Sequence, residues 1–427
     1  MREDFLYHLW KFQKFNSEAL KTSEGEVLLI LHPGSHNEYS GPDFFNAKIQ
    51  IAEQLWAGNV EIHLKSSYWY VHHHETDPNY DNVILHVVWE HDADIFRKDG
   101  SVIPTLVLND KVSHEILESY KELLERKHLK INCEKDFDGF EGFQMQHWLE
   151  RLYFERLEKR SIEIQDVLEG NGNNWEATFF VMLCRSFGLN LNGEAFRAMA
   201  ASLDFRIIQK LANDRLRLEA LFLGQAGIIK SDDKYALELA REYDYLKHKF
   251  SLNNGFIPQP QFFRLRPDNF PTIRLAQLAA IYTKNANLFQ QVINANALEE
   301  LYILFEAETS EYWTCHYNFG RSHPKRQKKP SRAFIDLVLI NCLVPFKDYY
   351  SKYMGQADED LIQELISAIP VEKNSIINIF NVLRPGTAQN AMHSQALLEL
   401  KKEYCDLDKC LYCELGASLL KKSPKYI

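Results

Sequence analysis

Basic residues are scarce in this sequence, and the deficit limits what the protein can bind. Lysine and arginine total 49 against 59 aspartates and glutamates, which gives a formal net charge of −10. Phosphate binding draws on clustered Lys and Arg, so this balance argues against a protein that coats nucleic acid nonspecifically. An enzyme with one local basic groove is still allowed. The clearest basic run, residues 321–332, contains two prolines and is predicted to be a loop, either solvated or in contact with a phosphate backbone.

Several other features are missing. No apolar run reaches the roughly 18 residues that a membrane span needs, so we expect no membrane partner. The start of the chain mixes acids with aromatics and lacks the apolar stretch of a signal peptide, which favours a cytoplasmic location. Seven cysteines in 427 residues do not make a disulfide scaffold and suit free or metal-bound thiols. The motifs of phosphate-binding loops, dinucleotide sites, zinc proteases and serine hydrolases are not found.

The composition is otherwise that of an ordinary globular protein, and the sequence shows two hydrophobic patterns, one typical of strands and one typical of helices. Hydrophobic residues make up 45% of the chain, and its length favours two or three domains. Residues 1–130 are predicted to form an α/β domain: a helix, three strands, a connection, two strands and a helix. Helical periodicity dominates afterwards, in predicted domains at 140–253 and 254–427 that meet at a segment rich in proline and aromatics. The expected fold class is α+β.

The first predicted domain holds a group of acids, imidazoles and an amine. Glu61, His63 and Lys65 alternate along one strand and therefore share a face, while the apolar residues between them face the core. Asp43 precedes the neighbouring strand, and its carboxylate can reach Glu61 if the two strands pair as a hairpin. Mg²⁺ or Mn²⁺ prefers such oxygen ligands and orients a water for attack on a phosphodiester. His63 or Lys65 would stabilise the developing charge, with His86 as a supporting ligand.

The same residues allow other interpretations. Glu61, His63 and Lys65 also fit the solvated face of a strand, and residues 72–74, three consecutive histidines, fit a polar surface. His86 lies in an apolar strand, where a hydrogen-bonded core histidine is the commoner finding. Alternatively, Glu61, His63, His86 and one histidine of residues 72–74 form a His/carboxylate site for Zn²⁺ or Fe²⁺, which suits a hydrolase or oxygenase rather than a nuclease.

An acid before one strand and an acid-x-base on the next resembles the PD-(D/E)XK nuclease superfamily, whose core is a mixed sheet flanked by helices. Pro42-Asp43 corresponds to the first half of that motif. Glu61-x-His63 corresponds to the second half, with His63 or Lys65 in the place of the family's lysine. The resemblance implies a restriction-endonuclease-like fold, a divalent cation at Asp43 and Glu61, and nucleic acid as partner. A degenerate core of this kind would instead belong to a non-enzymatic binding or scaffold protein.

Over most of its length the sequence also resembles an uncharacterised bacterial family described only as a domain of unknown function. Four segments carry this resemblance, together with three cysteines near the C-terminus: residues 41–44, 60–63, 82–88 and 266–271. It implies no activity.

The three C-terminal cysteines are the second candidate metal site. Their spacing is C-x4-C-x2-C, one ligand short of the usual four for structural zinc or an iron–sulfur cluster. The three are Cys405, Cys410 and Cys413, and the candidates for the fourth ligand are Cys133, Cys315, His316 and His393. The set resembles PD-(D/E)XK nucleases that join their ends through an iron–sulfur cluster with one upstream cysteine, which implies Cys133. The alternative is a set of buried or surface thiols without metal.

Overall fold

The computed structural model describes residues 1–37, 39–124, 130–252, 255 and 257–421. Contacts divide the chain into two compact units. The first, which we call the α/β unit, comprises Met1–Trp148 and Leu400–Ile427, and the second, the helical unit, comprises Leu149–Glu399. The predicted α+β class is confirmed, because a mixed sheet in the N-terminal region is followed by a large helical region.

The sheet of the α/β unit has six strands. They are β1 (Leu28–His32), β2 (Ser35–His36), β3 (Phe44–Ile51), β4 (Gln54–Lys65), β5 (Val83–Glu90) and β6 (Thr105–Val107). The order is β1-β3-β4-β5-β6, with β2 paired to β3. Strand β3 runs antiparallel to both β1 and β4, whereas β4, β5 and β6 run parallel to one another. Strand β4 therefore lies in the middle of the sheet, between an antiparallel and a parallel neighbour.

Helix α1 (Glu3–Phe12) packs its apolar face against β4. Its buried side chains recur at the spacing of one helix face, as the sequence predicts. Helix and strand contribute to one core, which includes Phe5, Leu6, Leu9, Trp10, Val60 and Ile62. Removing one of the large aromatic side chains, as in Trp10→Ala, would cost roughly 3–5 kcal/mol.

The segment between β4 and β5 covers a part of the sheet and carries the histidines. It contains the short helix α2 (Tyr68–Val71) and a 3-10 turn, Pro78–Tyr80. Trp69 anchors it, because its side chain is buried in a small second core with Val83 and two isoleucines. Residues 60–63 of β4 are consequently all buried, although their side chains alternate between polar and apolar.

Two helices follow the sheet in sequence: α3 (His114–Leu124) and α4 (Gly142–Gly170), with a 3-10 turn, Phe137–Gly139, between them. The helical unit then continues with α5 (Trp175–Phe187), α6 (Leu189–Ala201), α7 (Phe205–Leu211), α8 (Arg215–Gln225), α9 (Lys234–Lys249), α10 (Pro271–Lys284), α11 (Leu288–Asn294), α12 (Leu298–Phe305), α13 (Glu311–Thr314), α14 (Arg332–Val338), α15 (Val344–Tyr353), α16 (Glu359–Ala368), α17 (Ser375–Leu383) and α18 (Ala391–Glu399). It also holds the small hairpin β7 (His316–Asn318) and β8 (Arg321–Ser322), a 3-10 turn at Pro267–Asn269 and a π-helical stretch at Leu339–Leu343. Within the described ranges, no helix combines the length and the apolar character that crossing a bilayer requires.

The C-terminal segment of the α/β unit begins with a π-helical stretch, Leu400–Cys405, and ends with helix α19 (Glu414–Lys421). Leu411 and Leu420 from this segment are buried in the main core of the unit. The last residues described are therefore part of the same core as α1 and the sheet.

Candidate metal centre

Asp43 and Glu61 meet at the start of β3. Phe44 pairs with Val60 in the antiparallel ladder, so the residue before Phe44 lies opposite Glu61. The backbone N–H of Asp43 donates to Glu61 Oε2 at 3.1 Å, and the backbone N–H of Ile62 donates to Asp43 Oδ2 at 2.9 Å. These crossed hydrogen bonds hold the two carboxylates at one end of the hairpin. The structure thus brings together the two acids that the sequence hypothesis paired.

Both carboxyl groups favour the protonated form in the absence of a cation. The pKa of Asp43 is raised to about 8, first by burial and then by the charge of Glu61, against the opposing effect of the Ile62 N–H. The pKa of Glu61 is also raised to about 8 by burial, although the hydrogen bond from Asp43 lowers it. Since burial and like charge disfavour two carboxylates together, a bound cation is the simplest way to keep both ionised.

Two imidazoles lie beside the carboxylate of Glu61, and a third contacts one of them. Nε2 of His74 lies 3.3 Å from Glu61 Oε1, and Nε2 of His63 lies 3.6 Å from the same oxygen. His63 Nε2 is also 3.0 Å from Nδ1 of His72. One nitrogen from each of the three histidines lies within 4.8 Å of the other two. The ligand atoms of a tetrahedral zinc ion are about 3.4 Å apart, so nitrogens at the full 4.8 Å would have to approach each other by about 1.4 Å to close around an ion.

The segment after β4 supplies two of these histidines. His73 adopts a left-handed conformation, with φ of 61°. Its own side chain is 80% exposed. His72 and His74, on either side of this left-handed residue, both belong to the cluster. The ring of His74 is further fixed by stacking on Tyr80, with ring centroids 3.8 Å apart.

His86 lies behind His63 and supports it. The parallel register places His86 of β5 beside Glu61 of β4, and His86 Nε2 is 2.8 Å from His63 Nδ1. If His63 Nδ1 carries the proton and donates it, His63 Nε2 keeps its lone pair for a ligand. His86 then carries its proton on Nδ1, an atom that is buried and has no hydrogen-bond partner among the described residues.

Both of these histidines are neutral, which is the form that binds metals. Burial, followed by the neighbouring imidazoles, lowers the pKa of His63 to about 2. Burial lowers the pKa of His86 to about 3 in the same way. A protonated imidazole would repel a cation, so the low pKa values favour metal binding at neutral pH.

Lys65 is placed at the end of β4, beside a different acid. Its Nζ lies 3.2 Å from Glu90 Oε2, and its side chain is 42% exposed. The structure gives Lys65 this ion pair, and its role in catalysis stays a prediction.

Two side chains of α1 reach the site and were missed by sequence reasoning. Tyr7 hydrogen-bonds to the carboxylate of Asp43, and Glu3 Oε1 accepts from the backbone N–H of Leu64 at 3.4 Å. Glu3 and Tyr7 are four residues apart, so they lie on one side of the helix. This polar pair, beside the apolar stripe of α1, is the sequence signal that could have placed the two side chains at the site.

The four cysteines of the second candidate site line one pocket, although no three of their sulfurs lie within 4.8 Å of one another. Cys133 lines the same small pocket as Cys405, Cys410 and Cys413. All four belong to the α/β unit, and all are free thiols. The other candidates for the fourth ligand belong to the helical unit: Cys315, His316 and His393. Whether the four thiols bind metal is taken up below.

The basic run at 321–332 lies in the helical unit, and much of its charge is paired there. Three of its cations are within 4 Å of a carboxylate oxygen, in the pairs Lys325–Glu311 at 3.6 Å, Arg326–Asp268 at 3.7 Å and Arg332–Glu299 at 3.0 Å. Lys328 is buried, and its amine donates to the backbone oxygen of Trp313. Because these cations are already paired, less positive charge is available to contact a phosphate backbone. The pairing therefore favours the interpretation of this run as a structural loop.

Comparison with known proteins supplies a family. A family model described as "Protein of unknown function (DUF2851)" matches residues 3–375. The chain belongs to this family. The match includes the whole cluster of Asp43, Glu61 and the histidines, and also Cys133, whereas the C-terminal cysteines lie beyond it. Searches of curated proteins and of solved structures return no match. Membership of DUF2851 confirms the family-level prediction and assigns no activity, so a functional hypothesis has to rest on the geometry.

Proposed function

We propose that this DUF2851 protein is a metal-dependent hydrolase of phosphodiester bonds. Its metal would be held by Glu61, His63, His72 and His74. The observation that carries the proposal is the convergence of three imidazole nitrogens within 4.8 Å of one another, two of which, on His63 and His74, lie 3.6 and 3.3 Å from Glu61 Oε1. Imidazole ligands suit Zn²⁺ or Fe²⁺, whereas Mg²⁺ prefers oxygen ligands and retained water. We therefore favour a transition metal over magnesium.

The charges of the site fit a divalent cation. Asp43 and Glu61 supply two negative charges once their protons leave, and the buried imidazoles supply none. A dication therefore brings the site to neutrality, which is the requirement for burying charged groups. The side chains of Glu61 and His63 are 5% and 2% exposed, whereas His72 is exposed and leaves one side accessible.

A divalent cation bound there supplies a Lewis acid and lowers the pKa of a nearby water. Asp43 lies beside Glu61 and accepts the proton of the attacking water, a role that suits a group titrating near neutral pH. As the water oxygen bonds to phosphorus, the bond from phosphorus to the leaving oxygen breaks, and that oxygen takes a proton from solvent. His86 keeps His63 oriented through its hydrogen bond.

The choice of a phosphodiester rests on the arrangement of the two acids. They lie at one end of two neighbouring antiparallel strands in a mixed sheet, which is the pattern behind the resemblance to PD-(D/E)XK nucleases. Nucleic acid is the substrate class that this pattern favours.

The seven cysteines are free thiols, and we place the reaction in a reducing compartment, the cytoplasm.

The test is cleavage of DNA and RNA, single-stranded and duplex, by protein loaded in parallel with Mn²⁺, Zn²⁺, Fe²⁺ or Mg²⁺. We expect cleavage with a transition metal and a loss of about 100-fold or more in Asp43→Asn, which removes the proton acceptor. His73→Ala is the matched control, because His73 lies between two proposed ligands but faces solvent.

Two results would count against the proposal. If protein that is shown to carry the metal cleaves none of these substrates, the enzyme hypothesis is wrong and a binding or scaffold role is left. If the protein cleaves with Mg²⁺ alone, and His74→Ala cleaves at the same rate, the histidines are not metal ligands. The site would then consist of the two carboxylates, Asp43 and Glu61.

A further inference from the structure

Four cysteines that are distant in sequence line one pocket of the α/β unit. Cys133 comes from the N-terminal part of the chain, whereas Cys405, Cys410 and Cys413 follow 405 − 133 = 272 residues or more later. The remaining walls of the pocket are largely apolar and include Ile131, Phe137, Leu400, Tyr404 and Leu415.

The backbone of the C-terminal segment is shaped to direct its three cysteines inward. Cys405 ends the π-helical stretch, and Asp408 then adopts a left-handed conformation with φ of 52°, which reverses the chain. The backbone N–H of Lys409 closes this turn on Tyr404 O at 2.9 Å. Gly416 packs so tightly on the turn that a Cβ would lie 2.3 Å from Cys410 O, so no side chain fits there.

Hydrogen-bond donors point at two of the sulfurs. Asn132 Nδ2 donates to Cys410 Sγ at 3.4 Å. The backbone N–H groups of Leu415 and Gly416 donate towards the Cys413 sulfur. Donors of this kind stabilise thiolates, and they orient and tune the thiolate ligands of metal sites.

We propose that Cys133, Cys405, Cys410 and Cys413 bind one thiolate-ligated metal centre that ties the C-terminal segment to the rest of the α/β unit. Four thiolates are a complete set for a zinc ion and for an iron–sulfur cluster, and both share this ligand chemistry. Binding replaces the thiol protons, which pass to solvent. The centre links two parts of the chain that otherwise meet through apolar packing such as that of Leu411 and Leu420. This site is independent of the proposed hydrolase.

The test begins with the full chain purified without oxygen from medium that contains iron and zinc. We expect about one centre per chain with sulfur ligands. Iron with acid-labile sulfide and visible absorption would identify a cluster, whereas colourless protein with zinc would identify a single ion. Exchange of zinc for Co²⁺ then gives thiolate-to-cobalt charge-transfer absorption in the near ultraviolet, which the His/carboxylate site cannot produce.

Variants test the assignment of ligands and the structural role. Cys405→Ser should remove the sulfur-ligated centre and lower the midpoint of thermal unfolding of the α/β unit. Cys315→Ser is the matched control, because Cys315 is a free thiol of the helical unit. The wild-type spectra decide the case even if Cys405→Ser does not fold. Folded wild-type protein with seven titratable thiols, no sulfur-ligated metal and the same unfolding midpoint in chelator would overturn the proposal, and so would disulfides among the four cysteines.

Discussion

Replacing Glu61 with glutamine distinguishes a metal ligand from a structural ion pair. Burial raises the pKa of Glu61 from 4.5 to about 8. The folded state therefore holds its proton more tightly than the unfolded state, and the resulting stability is complete below about pH 4.5 and lost as pH rises through about 8. Glutamine is neutral at every pH and keeps an oxygen that can accept from the N–H of Asp43. We expect metal-free Glu61→Gln to be more stable than wild type at about pH 8.5 and close to it at about pH 5.

The size of the gain follows from the same shift. A rise in pKa from 4.5 to about 8 is equivalent to about 5 kcal/mol at most. Glutamine recovers only part of this, because its amide must also be desolvated, so we expect a gain of about 1 to 3 kcal/mol. The α/β unit comprises 148 + 28 = 176 residues. For that size, 1 kcal/mol corresponds to roughly 2–4 °C, and a gain of about 2 kcal/mol raises the unfolding midpoint by roughly 4–8 °C.

Calorimetry in chelator at both pH values measures this difference. Glu90→Gln is the control, because Glu90 is exposed and pairs with exposed Lys65, so we expect a change of under about 1 kcal/mol. Saturating Zn²⁺ or Mn²⁺ should reverse the order, because wild type gains stability from the ion and the variant gains little. A variant that is less stable than wild type in chelator at high pH would refute the reasoning. It would mean that Glu61 is held ionised by a protonated His63 or His74.

Three further predictions concern single side chains. His72→Ala should weaken zinc binding at least about tenfold in calorimetric titration, whereas His73→Ala should leave it unchanged, since only His72 belongs to the cluster. Lys65→Ala should leave metal affinity unchanged, because its amine pairs with an exposed acid at 3.2 Å, and a loss of affinity would place it in the site. Glu219→Ala should cost roughly 3–5 kcal/mol in denaturant unfolding, because this fully buried carboxylate accepts from an indole, a phenol and a serine hydroxyl, which would lose their acceptor.

The parts of the fold set by local pattern were predictable. Alternation along β4 predicts that Glu61 and His63 share a face, and apolar spacing predicts α1. The turn between β3 and β4 then brings Asp43 to Glu61 through pairing of adjacent strands, which is also a short-range effect. The acid pair could therefore be predicted as soon as the hairpin was.

The rest of the site depends on contacts that cannot be predicted from hydrophobic periodicity or from the spacing of residues in the sequence. His72 and His74 join the cluster on either side of His73, whose left-handed conformation its sequence neighbours permit but do not demand. Tyr7 reaches Asp43 because a helix packs across the sheet. Likewise, the spacing of the C-terminal cysteines left several candidates for a fourth ligand, and only the return of the last segment to the α/β unit places Cys133 beside them.

The central claim is that Glu61 and three histidines bind one metal ion, and anomalous diffraction from crystals soaked in Mn²⁺ or Zn²⁺ tests it most directly. We predict one peak bonded to Glu61 Oε1, His63 Nε2, His72 Nδ1 and His74 Nε2, with the direct hydrogen bond between His63 and His72 broken. Soaked crystals without such a peak, in which His63 Nε2 still lies 3.0 Å from His72 Nδ1, would contradict it.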